Sequence, residues 1–401
     1  MGFIRKKQLA SGKTRWQVIW DPGGAISAKG RTVADRTRMT ATFDSYAEAK
    51  SKLASVEFEK PKPTVPFRDL TDHFLAYFQQ LVDKGQREAS THRQFKQHIE
   101  LHILIDKEMQ DARCASLDAV FVQLFFDRLV GRVSFALAVK IRGTLSRVCD
   151  HGVRRGFMKV NPVETTKIER THRPVAGAEE HFLLPPKRDL KKLLATADRF
   201  DNVGRARAAV NLLMFAGLRM SEFRGLMLEA TQFTGATPKI KIIRRADRYN
   251  KMGPVKSAAG LRTIELGSQT ARIIQEYVQG RSVTSDLVFP NDEGNIWNYP
   301  NFWHRFWVPL LNQAGLVTDA PASKTVREWS EAQADFKQPA FGPHMLRHVY
   351  ASLQIEQGVT PKRLQKLMGH ATLKLTLDTY GHLWPDESAD RARAKAVENA
   401  L

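Results

Sequence analysis

The chain has 401 residues, 42% of them apolar and 26% charged, which is enough apolar material for packed cores and too much for a wholly disordered chain. Lys and Arg number 62 against 42 Asp and Glu, so the formal charge of +20 calls for a polyanionic partner, nucleic acid or an anionic membrane surface. No apolar run approaches the ~18 residues of a membrane span, the first residues lack the apolar stretch of a signal peptide, and two cysteines, Cys114 and Cys149, make neither a disulfide framework nor a zinc site. Lys6 also stands where a myristoylation signal needs Ser or Thr. The expectation is a DNA-binding protein of a reducing, cytoplasmic compartment, with no membrane partner.

Residues 1–62 read as a small β-sheet unit followed by a helix. Arg15-Trp16-Gln17-Val18-Ile19-Trp20 alternates as a strand does, and Asp21-Pro22-Gly23-Gly24 is turn chemistry. Further strands are expected at Arg31–Val33 and Arg38–Phe43. Asp44 or Ser45 then caps a helix through Ala47, Ala49, Leu53 and Val56. These 62 residues hold 13 Lys or Arg against 6 Asp or Glu, a basic balance suited to DNA contact. The Pro61-Lys62-Pro63-Thr64-Val65-Pro66 segment stops helices and favours extended chain, so it marks a linker.

Residues 66–165 read as all-helical. Phe67, Leu70, Phe74, Leu75 and Phe78 recur at helical spacing, and similar stripes follow around 95–105, 117–129 and 135–153. These stripes are expected in the core. The cations Arg87, Arg93, Lys96, Arg142, Arg147, Arg154 and Arg155 are candidates to track phosphates, with a solvated face as the alternative for each. Asn161-Pro162 ends the last helix, and residues 165–180 read as a second linker. Residues 180–385 read as a larger, mainly helical domain with a small antiparallel sheet. It has helices near 190–197 and 205–217 and strands at Ile240–Ile243 and Arg262–Leu266. Residues 386–401 form a tail with an apolar strip of Ala389, Ala392, Val397 and Leu401. The fold class is therefore α+β and multidomain.

Neither a phosphate-binding Gly-rich loop nor a nucleophile elbow is present. Three groups carry chemistry instead. In Ala216-Gly217-Leu218-Arg219-Met220-Ser221-Glu222 an apolar helix breaks at Gly217 and Ser221 has N-cap chemistry, which places Arg219 at a junction between helices. In Pro343-His344-Met345-Leu346-Arg347-His348, His344 and Arg347 share a helix face. Arg grips phosphate in a bidentate manner, and neutral His is a general base near pH 7. The third group is Leu367-Met368-Gly369-His370 followed by Thr376-Leu377-Asp378-Thr379-Tyr380-Gly381-His382, where Gly369 and Gly381 are expected chain breaks that leave His370 and Tyr380 near helix ends.

In order and separation these groups resemble the signature of the tyrosine recombinase (phage integrase) family. Arg219 stands in its Gly-Leu-Arg-x-Ser-Glu box, His344 and Arg347 in its His-x-x-Arg box, His370 in its Leu-Gly-His box, and Tyr380 at its nucleophile position. Lys256, in Val255-Lys256-Ser257, resembles the catalytic Lys of the family's β-hairpin turn. Other cations lie nearby (Arg245, Arg248 and Lys251), and Lys251 is the alternative. The helical segment resembles the family's core-binding domain, and residues 1–62 resemble the arm-binding domain of three-domain integrases.

The resemblance implies phosphoryl transfer on double-stranded DNA. Tyr380 attacks a backbone phosphate and forms a 3′-phosphotyrosyl link, which keeps the bond energy, so no cofactor or metal is expected. Arg219 and Arg347 stabilise the charge of the transition state. His344 is the implied base and Lys256 the acid for the leaving 5′-oxygen. His370 hydrogen-bonds the phosphate, Glu222 orients, and Ser221, His348 and His382 support. A homotetramer on synapsed DNA is implied; the apolar strip of the tail is expected to pack on a neighbouring protomer, with packing on its own domain as the alternative. A directionality factor and a DNA-bending host protein are possible partners, and the setting is the integration or excision of a phage or other mobile element in a bacterial host. A type IB topoisomerase-like enzyme and an inactive DNA-binding regulator are the alternatives.

Overall fold

The computed structural model describes residues 3–8, 14–20, 39–58, 65–169, 183–318, 337–384 and 398. The chain divides into two compact units, Met1–Glu179 and Glu180–Leu401. Its class is α+β and multidomain, with small antiparallel sheets.

The first unit begins with an antiparallel sheet of β1 (Phe3–Gln8), β2 (Thr14–Trp20) and β3 (Met39–Phe43), in that order. Trp16 pairs with Lys6 on one side and Phe43 on the other. Helix α1 (Tyr46–Phe58) starts where the Ser45 hydroxyl accepts the Glu48 N–H at 3.1 Å. It covers the sheet through buried Ala49, Val18 and Ile19 and an edge contact between Trp16 and Tyr46. Strand β1 escaped the sequence reading because Arg5-Lys6-Lys7 hides any alternation; pairing with β2 decides it. The strand expected at Arg31–Val33 lies outside the described residues.

Five helices follow: α2 (Phe67–Asp83), α3 (Ala89–His98), α4 (Lys107–Asp111), α5 (Ala119–Val130) and α6 (Phe135–Arg154). Asp106, Asp118 and Ser134 cap α4, α5 and α6 by accepting backbone N–H groups. Phe67, Leu70, Phe74, Phe78 and Phe95 are buried together, so these aromatic stripes are core, and Leu75 packs against them half-buried. Arg142 departs from the expectation. Its guanidinium donates to the carbonyls of Val163 and Thr166 at 3.0 and 2.9 Å and ties down the chain after α6 instead of facing a phosphate.

The second unit opens with α7 (Lys187–Phe200), α8 (Arg205–Ala216) and α9 (Met220–Arg224). Helix α8 is its centre: Ala206, Ala208, Val210, Leu212 and Leu213 are all buried. Full burial of each large aliphatic side chain stabilises by ~1.5–3 kcal/mol, which outweighs the few tenths that helix propensity contributes. The strands are β4 (Thr231–Gln232), β5 (Lys239–Ile242), β6 (Arg244–Ala246), β7 (Met252–Pro254) and β8 (Arg262–Glu265). β4, β5 and β8 make one antiparallel sheet with Ile240 opposite Ile264; β6 and β7 make a separate hairpin. Then come α10 (Ser268–Gly280), α11 (Tyr299–Phe302), α12 (Val308–Gln313), α13 (His344–Glu356), α14 (Pro361–Met368) and α15 (Leu373–Tyr380). Helices α7, α10 and α13 pack on α8, and α14 meets both β8 and α15. The ends of α8, α13, α14 and α15 thereby converge. The tail 386–401, apart from residue 398, lies outside the described residues.

Candidate active site

The site is built on the C-terminal ends of two helices. Helices α8 and α14 each stop at a glycine in the left-handed region, Gly217 and Gly369, both with φ of 61°. Both ends leave carbonyls without helical partners and carry partial negative charge. Arginines occupy them. Arg347, on α13 and only 2% exposed, donates to the carbonyl of Gly217 at 2.6 Å and also to that of Met368. Arg219 donates to the Gly369 carbonyl at 2.8 Å, and Arg262, at the start of β8, donates to the Leu367 carbonyl at 2.8 Å. Gly369 is tightly enclosed: a Cβ there would lie 3.0 Å from the Ala259 carbonyl oxygen and from an Arg262 nitrogen.

Glu222 joins the arginines. Its carboxylate takes Arg262 through two hydrogen bonds of 2.7 and 3.0 Å and Arg219 through one of 2.8 Å. It also accepts the Arg219 backbone N–H at 3.0 Å. Burial alone would raise its pKa; the hydrogen bonds and charge of Arg262, then the charge of Arg219, reverse this and bring it to about 2. Arg219 is the N-cap residue of α9, and Ser221 lies inside the helix. The expected Ser221 cap is thus corrected: the Glu222 carboxylate, one position further on, accepts the backbone N–H of Arg219 instead. Three guanidiniums against one carboxylate leave a surplus of two positive charges. Arg347 feels it: burial, then Arg219, lowers its pKa to about 9.

Tyr380 ends α15 with its ring 1% exposed. Burial pushes its pKa up to about 12, against the pull of Arg347 and Arg219. His370, after Gly369, is held by the buried Thr376 hydroxyl at 3.0 Å from its Nδ1, and its ring lies parallel to that of Tyr380 at 6.3 Å. Burial, then Arg347 and Arg219, lowers the His370 pKa to about 4. His344 begins α13 with an exposed side chain, and partial desolvation followed by Arg347 and Arg219 lowers its pKa. The Tyr380 hydroxyl meets His348, whose Nδ1 is 3.0 Å away. The His344 ring stands 5.2 Å from that of His348. His382 follows in the short turn Gly381–Leu383, where Gly381 has an ordinary helical φ of −52° and is not a special break.

The β5–β8 connection is more elaborate than one hairpin turn. The β6–β7 hairpin turns at 247–251, where Asp247 Oδ1 accepts the N–H groups of Tyr249 and Lys251. Lys251 is at that turn, and Lys256 is exposed in the loop that runs on to β8. That loop is anchored at the site, with Val255 against Gly260 and the Ala259 carbonyl against Gly369. Beside His370 a cavity of about 390 Å³ is lined by Arg262, Lys362, Arg363 and Lys366 among others. In the sequence Arg262 looks like any strand residue, and the direct contact of His348 with Tyr380 leaves no local signal.

Residues 186–387 match the phage integrase family. The chain is 28% identical to a tyrosine recombinase XerC of Pelobacter propionicus over 256 residues, 61% of this chain and 69% of that protein. It is 26% identical to the transposase of transposon Tn916 of Enterococcus faecalis over 202 residues, 48% of this chain and 46% of that protein. Among solved structures, a Tn1549 transposon integrase in complex with circular-intermediate DNA superposes with a TM-score of 0.58 at 16% identity, covering 84% of this chain and all of that one. A lambda integrase tetramer bound to a Holliday junction gives 0.52 at 14% identity, covering 92% of this chain and 95% of that one. At such identities the structural likeness speaks for the fold, while the family match spans half the chain. The chain therefore belongs to the phage integrase family: it is a tyrosine recombinase, a DNA strand transferase.

Proposed function

We propose that this recombinase cuts and rejoins double-stranded DNA with Tyr380 as nucleophile, to integrate and excise a mobile element. The observation that supports it most is the gathering of Arg219, Arg347, His370 and Tyr380 around the ends of α8 and α14. The Tyr380 oxygen attacks phosphorus, the bond to the 5′-oxygen breaks, and a 3′-phosphotyrosyl ester results. Arg219 and Arg347 bind the non-bridging oxygens, whose negative charge grows in the transition state; one such donor is worth on the order of 10²–10³ in rate. Their donors are preorganised, because helix-end carbonyls and Glu222 already fix both guanidiniums. His370 hydrogen-bonds the phosphoryl group, and so does His344, in place of the base role that its box implies. Lys256 protonates the leaving 5′-oxygen, with Lys251 as the other candidate. The reaction is reversed by a 5′-hydroxyl of the partner strand.

The proposed assembly is a homotetramer on two duplexes, with residues 1–62 on separate arm sites, residues 66–165 on the core site and the tails exchanged between protomers. A directionality factor and a DNA-bending host protein would set the direction of the reaction.

The test is covalent capture of duplexes from a random-sequence pool, read on a denaturing gel. The wild-type chain is expected to form a DNA adduct that survives EDTA, and Tyr380→Phe to form none. An adduct that persists in Tyr380→Phe would remove Tyr380 as nucleophile. Binding without any adduct would favour an inactive regulator. Captured duplexes remade with a 5′-bridging sulfur, which leaves without a proton, should restore cleavage to Lys256→Ala; restoration of Lys251→Ala instead would reassign the acid.

A further inference from the structure

We propose that His348 is a catalytic residue, the base that takes the Tyr380 proton as the phosphotyrosyl bond forms. The inference rests on the reading of Tyr380 as nucleophile. The hydroxyl of a buried tyrosine cannot lose its proton in advance. With the pKa near 12, the ionised fraction at pH 7 is on the order of 10⁻⁵. A base must accept the proton during attack, and it must be within hydrogen-bond reach of the hydroxyl. His348 Nδ1 is at 3.0 Å from that oxygen.

Burial and its neighbours keep this histidine in the neutral form that can accept a proton. His348 lies one turn beyond His344 on α13 and next to Arg347, and burial followed by these two neighbours lowers its pKa to about 4. It is neutral at pH 7. Among the described residues, His344 and Arg347 from its own helix and Tyr380 from α15 face it. Each of these is neutral or cationic, which favours the neutral imidazole. An arriving phosphodiester brings negative charge to the site and raises the basicity of the imidazole when it is needed. In the step, the tyrosine oxygen bonds to phosphorus, the bond to the 5′-oxygen breaks, the tyrosine proton moves to His348 Nδ1, and the 5′-oxygen takes a proton from the acid. In rejoining, the imidazolium returns its proton to the departing tyrosine. His344 is thereby left to the phosphate.

Two measurements test this. The first needs no DNA: ¹⁵N NMR of the histidine side chains in the free full-length chain, with the His348 signals assigned by their loss in His348→Asn. The expected tautomer at pH 7.5 carries its proton on Nε2, with Nδ1 accepting from the tyrosine. A proton on Nδ1 overturns the proposal. The second uses duplexes captured by the wild-type chain. His348→Ala and His348→Asn should slow adduct formation ~10²–10⁴-fold while retaining the same DNA in native gels. Imidazole in solution should speed His348→Ala, and a 5′-bridging sulfur should not. Wild-type rates in His348→Asn, rescue by the sulfur substrate, or an equal loss of binding each overturn it. Failure of the wild-type chain to capture any duplex counts against Tyr380 chemistry as a whole, and the tautomer still decides for His348.

Discussion

Glu222 sets the charge balance of the cluster. It is the carboxylate that meets both Arg219 and Arg262, and it is 2% exposed. Removing one partner of such a pair costs more than the pair contributes, because the remaining charge stays buried. Arg262→Ala is expected to lower stability by about 3–5 kcal/mol, read from urea unfolding. The Glu222 pKa is lower in the folded state than its usual 4.5. Its contribution is therefore complete above pH 4.5 and is lost as the pH falls toward 2. Glu222→Gln should flatten the stability curve in that window. Glu222 was legible as an orienting residue from its box. Arg262 was not, because its role depends on carbonyls 105 residues away. The same reason hid the pairing of Tyr380 with His348: periodicity shows which residues share a helix face, not which helix end meets which.

At the scale of elements, two helix C-termini do what a bound cation does in other phosphoryl-transfer sites: they fix positive charge in place. Their glycines are required. A Cβ on Gly217 would stand 2.3 Å from the Tyr350 ring, at a φ of 61° that strains any L side chain. Gly217→Ala should cost more than ~1–2 kcal/mol from the backbone alone, with further loss from overpacking. Gly369→Ala should displace Arg219 and Arg262, so its adduct rate should fall more than its urea midpoint. The histidines of α13 and the α14 end give a pH signature. His348 and His370 have pKa values near 4 when folded, below the usual 6.5. Between those values the unfolded chain binds more protons, so stability falls as pH falls from 6.5 to 4. Thermal melts across that range should show a smaller slope for His370→Gln than for wild type.

For the whole molecule, the +20 charge sets the dependence on salt. A chain that neutralises about 6–10 phosphates should lose ~10³–10⁵ in DNA affinity between 50 and 200 mM salt. Fluorescence anisotropy on a captured duplex checks this, and a flat response would mean that the charge serves another partner. Arg142 already shows that a basic residue in the helical segment can be structural, so the slope should be smaller than the number of exposed cations suggests.

The sequence alone carried the class of fold, the helical segment with its aromatic core, and the boxes around Arg219, His344, Arg347, His370 and Tyr380. These are local facts: apolar period, turn residues and short spacings survive in one dimension. Tertiary structure decided the rest. It paired β1 through a basic run, put Arg219 instead of Ser221 at the start of α9, tied Arg142 to the chain after α6, and split the β5–β8 connection so that Lys251 and Lys256 stand apart. It also brought Arg262 to Glu222 and His348 to Tyr380. The physical reason is the same in each case. A buried charge or hydroxyl must find a partner, and the partner is set by which helix ends and strands the core draws together, not by neighbours along the chain.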